Sequence, residues 1–379
     1  YANKLQCSTH SKFYQSIEKT LNQFRNMSQP NLRTITEQQL LLASKHSMVR
    51  KLVKIQGKLI INRDDEWLSF LTEFEDLLPN NFKMYLNLED EPQVAPLYSF
   101  EEMQLNNFPT ERSNYDSVED IFTRNKCFQT LHNYSKHSFA TFFSDDYFKL
   151  VSTELIPIFS QSSNDCFADL LIPGSDHFKF STIKDHIPFN STFIMPWKKK
   201  KSQVIWRGSS HGTYWDDMMV EPYWKGQRQR LIEAVQQLKQ TNHSLANYFN
   251  VSFSKYSACI PKICREMLTR YGNPSPVSYS EQMTFKYILD VDGIAWTGRF
   301  MPSLSYTSLI LKSTYCHEFF SPFVLPEVHY IPIKTDYSDL TSKLEWILSH
   351  EREVQQIISQ ANKMSFNHLR YNDLKCYTS

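Results

Sequence analysis

Apolar residues recur at helical spacing near the start of the chain. Phe13, Ile17, Leu21 and Phe24 are three or four residues apart, and a second such run begins at Thr36. Residues at this spacing lie on one face of an α-helix, so the pattern predicts two amphipathic helices.

A strand, a helix and a second strand are predicted next. Residues 53–61 are rich in aliphatic side chains, with an interruption at Gly57, and residues 65–78 carry apolar side chains at helical spacing. Residues 84–88 form the second predicted strand. This order and spacing favour a βαβ unit.

The pattern becomes regular again after Pro196. It predicts strands at 203–206, 285–290 and 328–333, helices at about 226–241 and after Gly298, and a long helix from about Leu340. Residues between about 95 and 165 are weakly periodic, and their elements are left open. Strands that alternate with helices indicate an α/β fold, here built as two halves joined near 190–200.

The composition indicates a globular chain without a global charge. Of its 379 residues, 41% are hydrophobic and 21% charged, which excludes wholesale disorder. Lys and Arg number 41 against 40 Asp and Glu, so the net charge of +1 provides no field for a polyanion, and we expect no nucleic-acid partner. Glycine is scarce, at 8 residues, which leaves little material for a glycine-rich phosphate loop.

Sequons favour a secretory-pathway protein, with chance matches as the alternative. The sequence N-x-[ST] occurs at five positions: Asn26, Asn133, Asn190, Asn242 and Asn250. No run approaches the roughly 18 apolar residues that a membrane span requires, so a signal or anchor is expected only in a segment outside this sequence. We expect the lumenal domain of a type II membrane protein of the Golgi or endoplasmic reticulum.

The seven cysteines lack metal-type spacing with histidine and suggest disulfides. They are Cys7, Cys127, Cys166, Cys259, Cys264, Cys316 and Cys376. Cys259 and Cys264 could close a short loop, and Cys7 with Cys376 could join the two ends. The odd count leaves one thiol, for which the apolar surroundings of Cys316 are suitable.

Charged residues lie where predicted strands end. The sequence contains no G-x-G-x-x-G, P-loop or H-E-x-x-H motif. The segment W-R-G-S at 206–209 follows a strand, so Arg207 and Ser209 are expected at its carboxyl end, the usual ligand side of an open α/β sheet. An arginine there would suit a diphosphate.

The segment 286–300 shows a stronger pattern: a hydrophobic strand, a turn at Gly293, and then Gly298 and Arg299 before a helix. Backbone N–H groups at the helix start, the helix dipole and the guanidinium would together stabilise a nucleotide diphosphate. Asp290 and Asp292 form a D-x-D pair that either binds Mn²⁺ or Mg²⁺ or holds the turn. The structural interpretation is favoured, because basic residues already balance the phosphate charge.

Three further segments carry candidate residues. Asp169 is an acid within an apolar stretch, so it is either a structural cap or a general base with a raised pKa. Trp197 and Lys198 begin a run of four lysines that is either a surface loop or one wall of a pocket for an anionic donor. Asp90 and Glu91 follow the second predicted strand and are either surface acids or part of the same cleft.

The motifs resemble those of the capsule-associated glycosyltransferase family 90. This family includes the Rumi-type protein O-glucosyltransferases and the fungal β-1,2-xylosyltransferases. The resemblance covers most of the chain beyond about residue 50, and the segment D-V-D-G-I-A-W-T-G-R-F is more similar to the fungal branch. It rests on these segments: L-N-L-E-D-E-P-Q-V at 86–94, D-L-L-I-P from Asp169, P-W-K-K-K at 196–200, W-R-G-S at 206–209, Asp290 to Phe300, E-F-F from Glu318, and V-H-Y-I-P from Val328 with the following Asp336.

The resemblance implies a GT-B fold, with two Rossmann-like domains facing a cleft. Residues 1–192 would hold the acceptor, residues 193–349 the nucleotide sugar, and residues 350–379 would cross back to the first domain. By position, Asp169 would be the general base and Glu318 would contact the ribose. The residues implied around the donor are Trp197, Lys198, Arg207, Ser209, Ile294, Ala295, Trp296, Thr297, Gly298 and Arg299, with Asp90 and Glu91 on the acceptor side.

The expected activity is inverting transfer of a sugar from a UDP-sugar to a hydroxyl of a glycan or glycoprotein. The fungal likeness favours UDP-xylose, followed by UDP-glucose and UDP-galactose, and no metal cofactor is expected to be required. A metal-dependent transferase that uses Asp290 and Asp292 is one alternative. A non-catalytic secretory protein whose aromatic residues stack on glycan rings is another.

Overall fold

The structure is a computed structural model, and it describes part of the chain. The described residues are 49–55, 58–61, 72, 82–87, 94–96, 150–152, 158–164, 166–167, 169–179, 195–212 and 223–378. The two helices predicted near the start lie outside these residues, as do Asp90 and Glu91. Of the helix predicted at 65–78, only Thr72 is described, and it is helical.

Strands and helices alternate along the described residues. The strands are β1 (Val49–Ile55), β2 (Lys58–Ile61), β3 (Phe82–Asn87), β4 (Val94–Pro96), β5 (Leu150–Ser152), β6 (Ile158–Ser160), β7 (Ser162–Ser163), β8 (Leu170–Leu171), β9 (Lys201–Ser209), β10 (Phe249–Lys255), β11 (Phe285–Val291), β12 (Leu309–Ser313), β13 (His317–Glu318) and β14 (Ile331–Pro332). The helices are α1 (Gln227–Gln240), α2 (Pro261–Tyr271), α3 (Tyr279–Gln282), α4 (Phe300–Ser303), α5 (Leu340–Ser349), α6 (Glu351–His368) and α7 (Tyr371–Thr378).

The first sheet has the strand order β2-β1-β3-β6-β8. Its predicted strand at 53–61 is instead the hairpin of β1 and β2, because the chain reverses between Ile55 and Lys58. Both β2 and β3 pair antiparallel with β1, so β2 and β3 run parallel with β1 between them. The predicted βαβ unit requires parallel strands, and β2 and β3 meet this requirement with β1 between them. Strands β3, β6 and β8 are parallel neighbours.

The second sheet is parallel throughout, in the order β10-β9-β11-β12-β14. Its central strands, β11 and β12, are buried and mostly apolar, as is usual when helices cover both faces of a parallel sheet, and Asp290 and Lys312 are charged exceptions. Helices α1, α5 and α6 pack against one face and share its core with Trp206 and Leu289. The strand order reverses between β9 and β11, which makes their carboxyl ends the expected ligand side.

Several predicted elements differ in length from the observed ones. The strands predicted at 203–206 and 285–290 and the helix at 226–241 correspond to β9, β11 and α1. The helix after Gly298 has only four residues, the strand at 328–333 only two, and the long last helix is interrupted at His350. Strands β10 and β12 and helix α2 were not predicted.

The two sheets are joined by short strands and by the last helices. Strand β7, directly after β6, pairs antiparallel with β13, which follows β12. A second core cluster combines Leu86 and Phe178 from the side of the first sheet with Phe300 from the second and Met364 from α6. The hydroxyl of Tyr377 in α7 donates to the carbonyl of Leu171 at 3.3 Å. The carboxyl ends of both sheets therefore meet through β7 and β13.

Candidate active site

Two loops meet at the point where the strand order of the second sheet reverses. One follows β9 and contains Gly212. The other comprises residues 293–299 after β11 and is called the donor loop, after the role that the family resemblance implies for it. A Cβ atom on Gly212 would lie 3.7 Å from the carbonyl oxygen of Gly293, and one on Gly293 would lie 3.0 Å from that of Trp296. The Gly293 N–H also donates to the carbonyls of Ala295 and Trp296. A side chain at residue 293 would therefore crowd the compact donor loop.

Arg299, at the end of the donor loop, has spare donor capacity. Its Nη2 donates to the carbonyl of Arg207. Its Nε and Nη1 are buried and have no hydrogen-bond partner among the described residues. A buried polar group without a partner costs on the order of 1–3 kcal/mol, and more if it is charged, so an anionic ligand would gain by pairing with it.

Arg228, which the sequence analysis missed, connects the ends of β9 and β11. Its Nε donates to the carbonyl of Asp292 at 2.7 Å and its Nη1 to the carbonyl of Ser209 at 3.0 Å. Burial and the charge of Arg299 lower the pKa of Arg228 to about 10. Arg228 lies at the start of α1, far from the motifs in sequence, so no spacing pointed to it.

His211 experiences the same positive charge. Burial, together with the positive charges of Arg228 and Lys255, lowers the pKa of its imidazole below the usual 6.5. No motif or spacing in the sequence points to this residue either. The carboxyl edge of β9 and β11 is therefore basic, although the net charge of the chain is near zero.

Arg207 points away from the donor loop. Its guanidinium donates to the backbone carbonyl and side-chain oxygen of Asn250 on β10, both at 2.7 Å, and to the carbonyl of Ser275 at 2.6 Å. The predicted arginine at the end of β9 thus holds β10 in place. Its backbone carbonyl, not its side chain, contacts Arg299.

The segment 208–212 also matches the pattern G-x-S-x-G, which is typical of serine hydrolases. The serine at its centre, Ser210, is fully buried. Its hydroxyl donates to the carbonyl of Ser257 and accepts from the N–H of Ser257, both at 3.0 Å. A hydroxyl held in this way is a structural link between loops, not an exposed nucleophile.

The helix after the donor loop has less capacity to stabilise an anion than the sequence predicts. Helix α4 has four residues, so its dipole is small. The N–H groups of Arg299 and Phe300 are already directed at the hydroxyl and carbonyl of Thr297, at 3.3 and 3.2 Å. Positive charge at this edge therefore comes mainly from the guanidinium groups.

Asp290 and Asp292 are held by protein donors. Lys312 Nζ lies 3.1 Å from Asp290 Oδ2, and Asp292 accepts from the hydroxyl of Thr314 and the N–H of Tyr315 at 2.6 and 2.7 Å. Burial raises the pKa of Asp292 to about 7. Within the described residues, no group of three or more His, Cys, Asp or Glu side chains is placed to hold a metal ion. These contacts fit the interpretation in which the pair holds the turn.

Asp169 is buried and directly precedes β8 of the first sheet. The Ser160 hydroxyl donates to its Oδ1 at 2.5 Å, and the Asn87 side-chain amide donates to the same hydroxyl at 3.1 Å. Asn87 and Ser160 are the last residues of β3 and β6. The sheet therefore orients a carboxylate at the edge that β7 and β13 join to the second sheet.

Glu318 and Trp296 contact His177, which lies in the helical segment 175–179 after β8. The side chains of His177 and Glu318 are almost completely buried, with Nε2 of the imidazole 3.1 Å from Glu318 Oε1. The His177 ring stacks on the indole of Trp296. The carboxylate expected to contact a ribose thus already accepts a hydrogen bond from the protein.

Trp197 and Lys198 lie far from the donor loop. They belong to a short 3₁₀-helix, Trp197–Lys199, directly before β9, whereas Ser209 ends that strand. Nine residues of strand span roughly 25–30 Å, so the structure does not bring these two residues to the donor loop. The indole of Trp197 donates to Glu351 at 2.6 Å and lines a separate pocket of about 730 Å³. Lys198 is exposed.

The cysteine predictions are confirmed where the structure describes them. Cys259 and Cys264 form a disulfide. Cys316 is a buried free thiol. Cys166 is disulfide-bonded, and Cys7 lies outside the described residues.

Comparison with known proteins defines the class. Residues 143–379 match the family model described as Glycosyl transferase family 90. The match covers more than half of the chain, and the chain belongs to glycosyl transferase family 90. The predicted resemblance to this family is confirmed, and so is the predicted α/β class.

Similar proteins come from animals and from a virus. Protein O-glucosyltransferase 1 of Rattus norvegicus is 24% identical over 59% of this chain and 55% of its own length. The human protein of that name is 27% identical over 48% of this chain and 41% of its own length. An uncharacterized protein, 179R of Invertebrate iridescent virus 6, is 26% identical over 60% of this chain. The chain spans 23% of that viral protein and about half of the animal ones.

Proposed function

We propose that this chain transfers a sugar from a UDP-sugar to a hydroxyl of a glycan or glycoprotein, with inversion at the anomeric carbon. The observation that carries the proposal is the pair of buried Arg299 nitrogens, Nε and Nη1, that have no hydrogen-bond partner among the described residues, at the point where the strand order reverses. A diphosphate supplies the oxygens that this group lacks. Residues 1–192 would form the acceptor domain of a GT-B fold and residues 193–349 the donor domain, with residues 350–379 returning to the first.

In the proposed step, Asp169 accepts the proton of the acceptor hydroxyl. The acceptor oxygen forms a bond to the anomeric carbon, and the bond from that carbon to the diphosphate oxygen breaks. Its electron pair leaves with UDP. One base is sufficient for a single displacement. Arg299 and Arg228 would stabilise the negative charge that develops on the leaving diphosphate, and a well-placed donor of this kind contributes about 3–4 kcal/mol.

Two donors are proposed, and different observations favour them. The fungal likeness of the donor loop favours UDP-xylose, whereas the names of the animal relatives favour UDP-glucose.

We propose that no metal is required, because the carboxylates of Asp290 and Asp292 are engaged by Lys312, Thr314 and Tyr315. A Mn²⁺ or Mg²⁺ ion at this pair is the alternative.

The proposed location is the lumen of the endoplasmic reticulum or Golgi. The sequons and the Cys259–Cys264 disulfide support an oxidising compartment. Among the helices that the structure describes, none has both the length and the apolar character needed to cross a bilayer.

A UDP-release assay tests the proposal. Wild-type protein is incubated with UDP-xylose, UDP-glucose and UDP-galactose, with and without EDTA, and UDP binding is measured by calorimetry. Asp169→Asn should lower turnover at least about 100-fold while UDP still binds. The control is Asp176→Asn, which changes an exposed carboxylate in the same segment and should leave turnover unchanged.

Each other outcome is informative. Wild-type turnover in Asp169→Asn would eliminate the base, and loss of activity in EDTA would support a metal at the acidic pair. No UDP release with any donor, together with glycan binding, would favour the non-catalytic sugar-binding protein.

A further inference from the structure

The His177 side chain is fixed by hydrogen bonds at both ring nitrogens. The Gly174 N–H donates to Nδ1 at 2.9 Å, and Nε2 lies 3.1 Å from Glu318 Oε1. Because Nδ1 accepts, the ring proton is on Nε2, and the neutral imidazole donates to the carboxylate. The two bonds hold the ring in one plane between the first sheet and β13.

That plane sets the position of a donor-loop residue. The imidazole stacks on the indole of Trp296 with ring centroids 4.3 Å apart and planes 10° apart. Phe319 packs its edge against the same imidazole at 5.1 Å. Trp296 is buried, so it has little freedom to leave this contact. The arrangement of the donor loop therefore depends on where the first sheet places His177.

The segment that carries His177 also carries Asp169. Between them, the Ile172 N–H donates to the carbonyl of Ser160 at 3.0 Å, which anchors the segment to β6. A Cβ atom on Gly174 would lie 1.9 Å from Gln161 Oε1, so a side chain at residue 174 would displace the side chain of Gln161, which directly follows β6. A short, anchored stretch thus connects Asp169 with the ring that contacts the donor loop.

We propose that His177 is a positioning residue that sets the donor loop relative to Asp169. The inference rests on the proposed function. Attack on the anomeric carbon requires the base and the donor to be aligned closely, and a misplacement of about 1 Å costs on the order of a hundredfold in rate. His177 supplies this alignment through its stack on Trp296, while Glu318 fixes its ring. Its loss should therefore slow transfer to an acceptor more than it weakens UDP binding.

Two substitutions separate the stack from the hydrogen bond. His177→Gln keeps an N–H that can reach Glu318 but removes the ring, whereas His177→Phe keeps a ring but cannot donate. The measured quantity is the rate of sugar transfer to p-nitrophenyl glycosides divided by the rate of donor hydrolysis in water. We expect His177→Gln to lower this ratio by roughly tenfold or more. UDP affinity should change less than threefold or so. His177→Phe keeps the stacked ring, so its ratio of transfer to hydrolysis should be higher than that of His177→Gln.

The matched control is His350→Gln. His350 stacks on Trp346 at 4.7 Å and 11° where α5 meets α6, and it contacts no donor-loop residue in the described contacts. A double-mutant cycle with Trp296→Leu is a second test. If His177 and Trp296 act through one contact, the ratio of transfer to hydrolysis in the double variant should be no lower than in the more impaired single variant. Equal losses of transfer and hydrolysis in His177→Gln, or full additivity in the cycle, would overturn the inference.

Hydrogen exchange of the donor loop provides a test that needs no activity. Peptides covering 293–300 should exchange faster in His177→Gln than in wild type and His350→Gln, and unchanged exchange would overturn the inference. If the wild type releases UDP from no donor, the proposed function fails, and the exchange result alone decides whether His177 positions the donor loop.

Discussion

Arg228 and Arg299 donate to backbone carbonyls of the same strand end, Arg228 to Ser209 and Arg299 to Arg207. One guanidinium comes from the first turn of α1 and the other from the end of the donor loop. Burial and, after it, the charge of Arg299 lower the pKa of Arg228, because two nearby cations repel each other. The carboxylates of Asp292 and Asp290 oppose this repulsion. A diphosphate between the arginines would neutralise the excess positive charge.

Arg299→Ala should weaken UDP binding. Hydrogen bonds to charged groups are worth about 1.5–3 kcal/mol, so the dissociation constant should rise roughly tenfold to a hundredfold by calorimetry. The control is Arg270→Ala, which removes an arginine paired with Glu233 at 2.7 Å on the outside of α2. That variant should bind UDP as the wild type does. Unchanged affinity in Arg299→Ala would contradict the phosphate assignment.

UDP binding should be coupled to protonation of His211. In the free protein the positive charges of Arg228 and Lys255, added to burial, keep the pKa of His211 low and the ring neutral at pH 7. A bound diphosphate opposes those charges and raises the pKa, so UDP affinity should increase as the pH falls from about 7.5 to 6.

Calorimetry at pH 6.5 in two buffers of different ionisation enthalpy measures the proton uptake. The terminal phosphate of UDP itself titrates near pH 6, so the comparison is with His211→Gln. Equal uptake in the wild type and this variant would show that His211 does not take part.

Ser160→Ala should impair turnover through Asp169. The Ser160 hydroxyl donates to the carboxylate and accepts from Asn87, so its removal takes away a hydrogen bond that orients the base. We expect the turnover rate to fall roughly tenfold while the dissociation constant of UDP is unchanged. Ser252→Ala on β10 is the control and should behave as the wild type. A wild-type rate in Ser160→Ala would mean that Asp169 is oriented by other contacts.

The structure distinguishes two neighbouring sequons. Asn242 is exposed in a turn with φ of 50°, whereas the side-chain oxygen of Asn250 accepts from Arg207 at 2.7 Å. Expression in secretory cells should give a glycan at Asn242 and none at Asn250, as measured by peptide mass spectrometry after enzymatic deglycosylation in heavy-oxygen water. Ser244→Ala should abolish the Asn242 glycan. A glycan at Asn250 would contradict the contact with Arg207.

Local pattern predicted the second sheet better than the first. Strands β9 and β11 and helix α1 have strong periodicity, and they appear within a few residues of their predicted bounds. The hairpin of β1 and β2 was mistaken for one strand, because the two arms are separated by only two residues and both are aliphatic. Pairing direction is set by the turn and by neighbouring strands, which periodicity does not record.

The sequence by itself determined the α/β class and the family motifs, and it suggested the short Cys259–Cys264 disulfide, because each depends on residues that are close in the chain. Tertiary structure alone decided which charged side chains share one edge of the sheet. Trp197 and Ser209 belong to adjacent motifs, yet strand β9 separates them. Trp197 lies before the amino end of the strand and Ser209 at its carboxyl end, so the two residues are at opposite ends of the sheet's strands. Arg228 reaches the ends of β9 and β11 only because α1 packs across them, and that contact depends on the packing of distant segments.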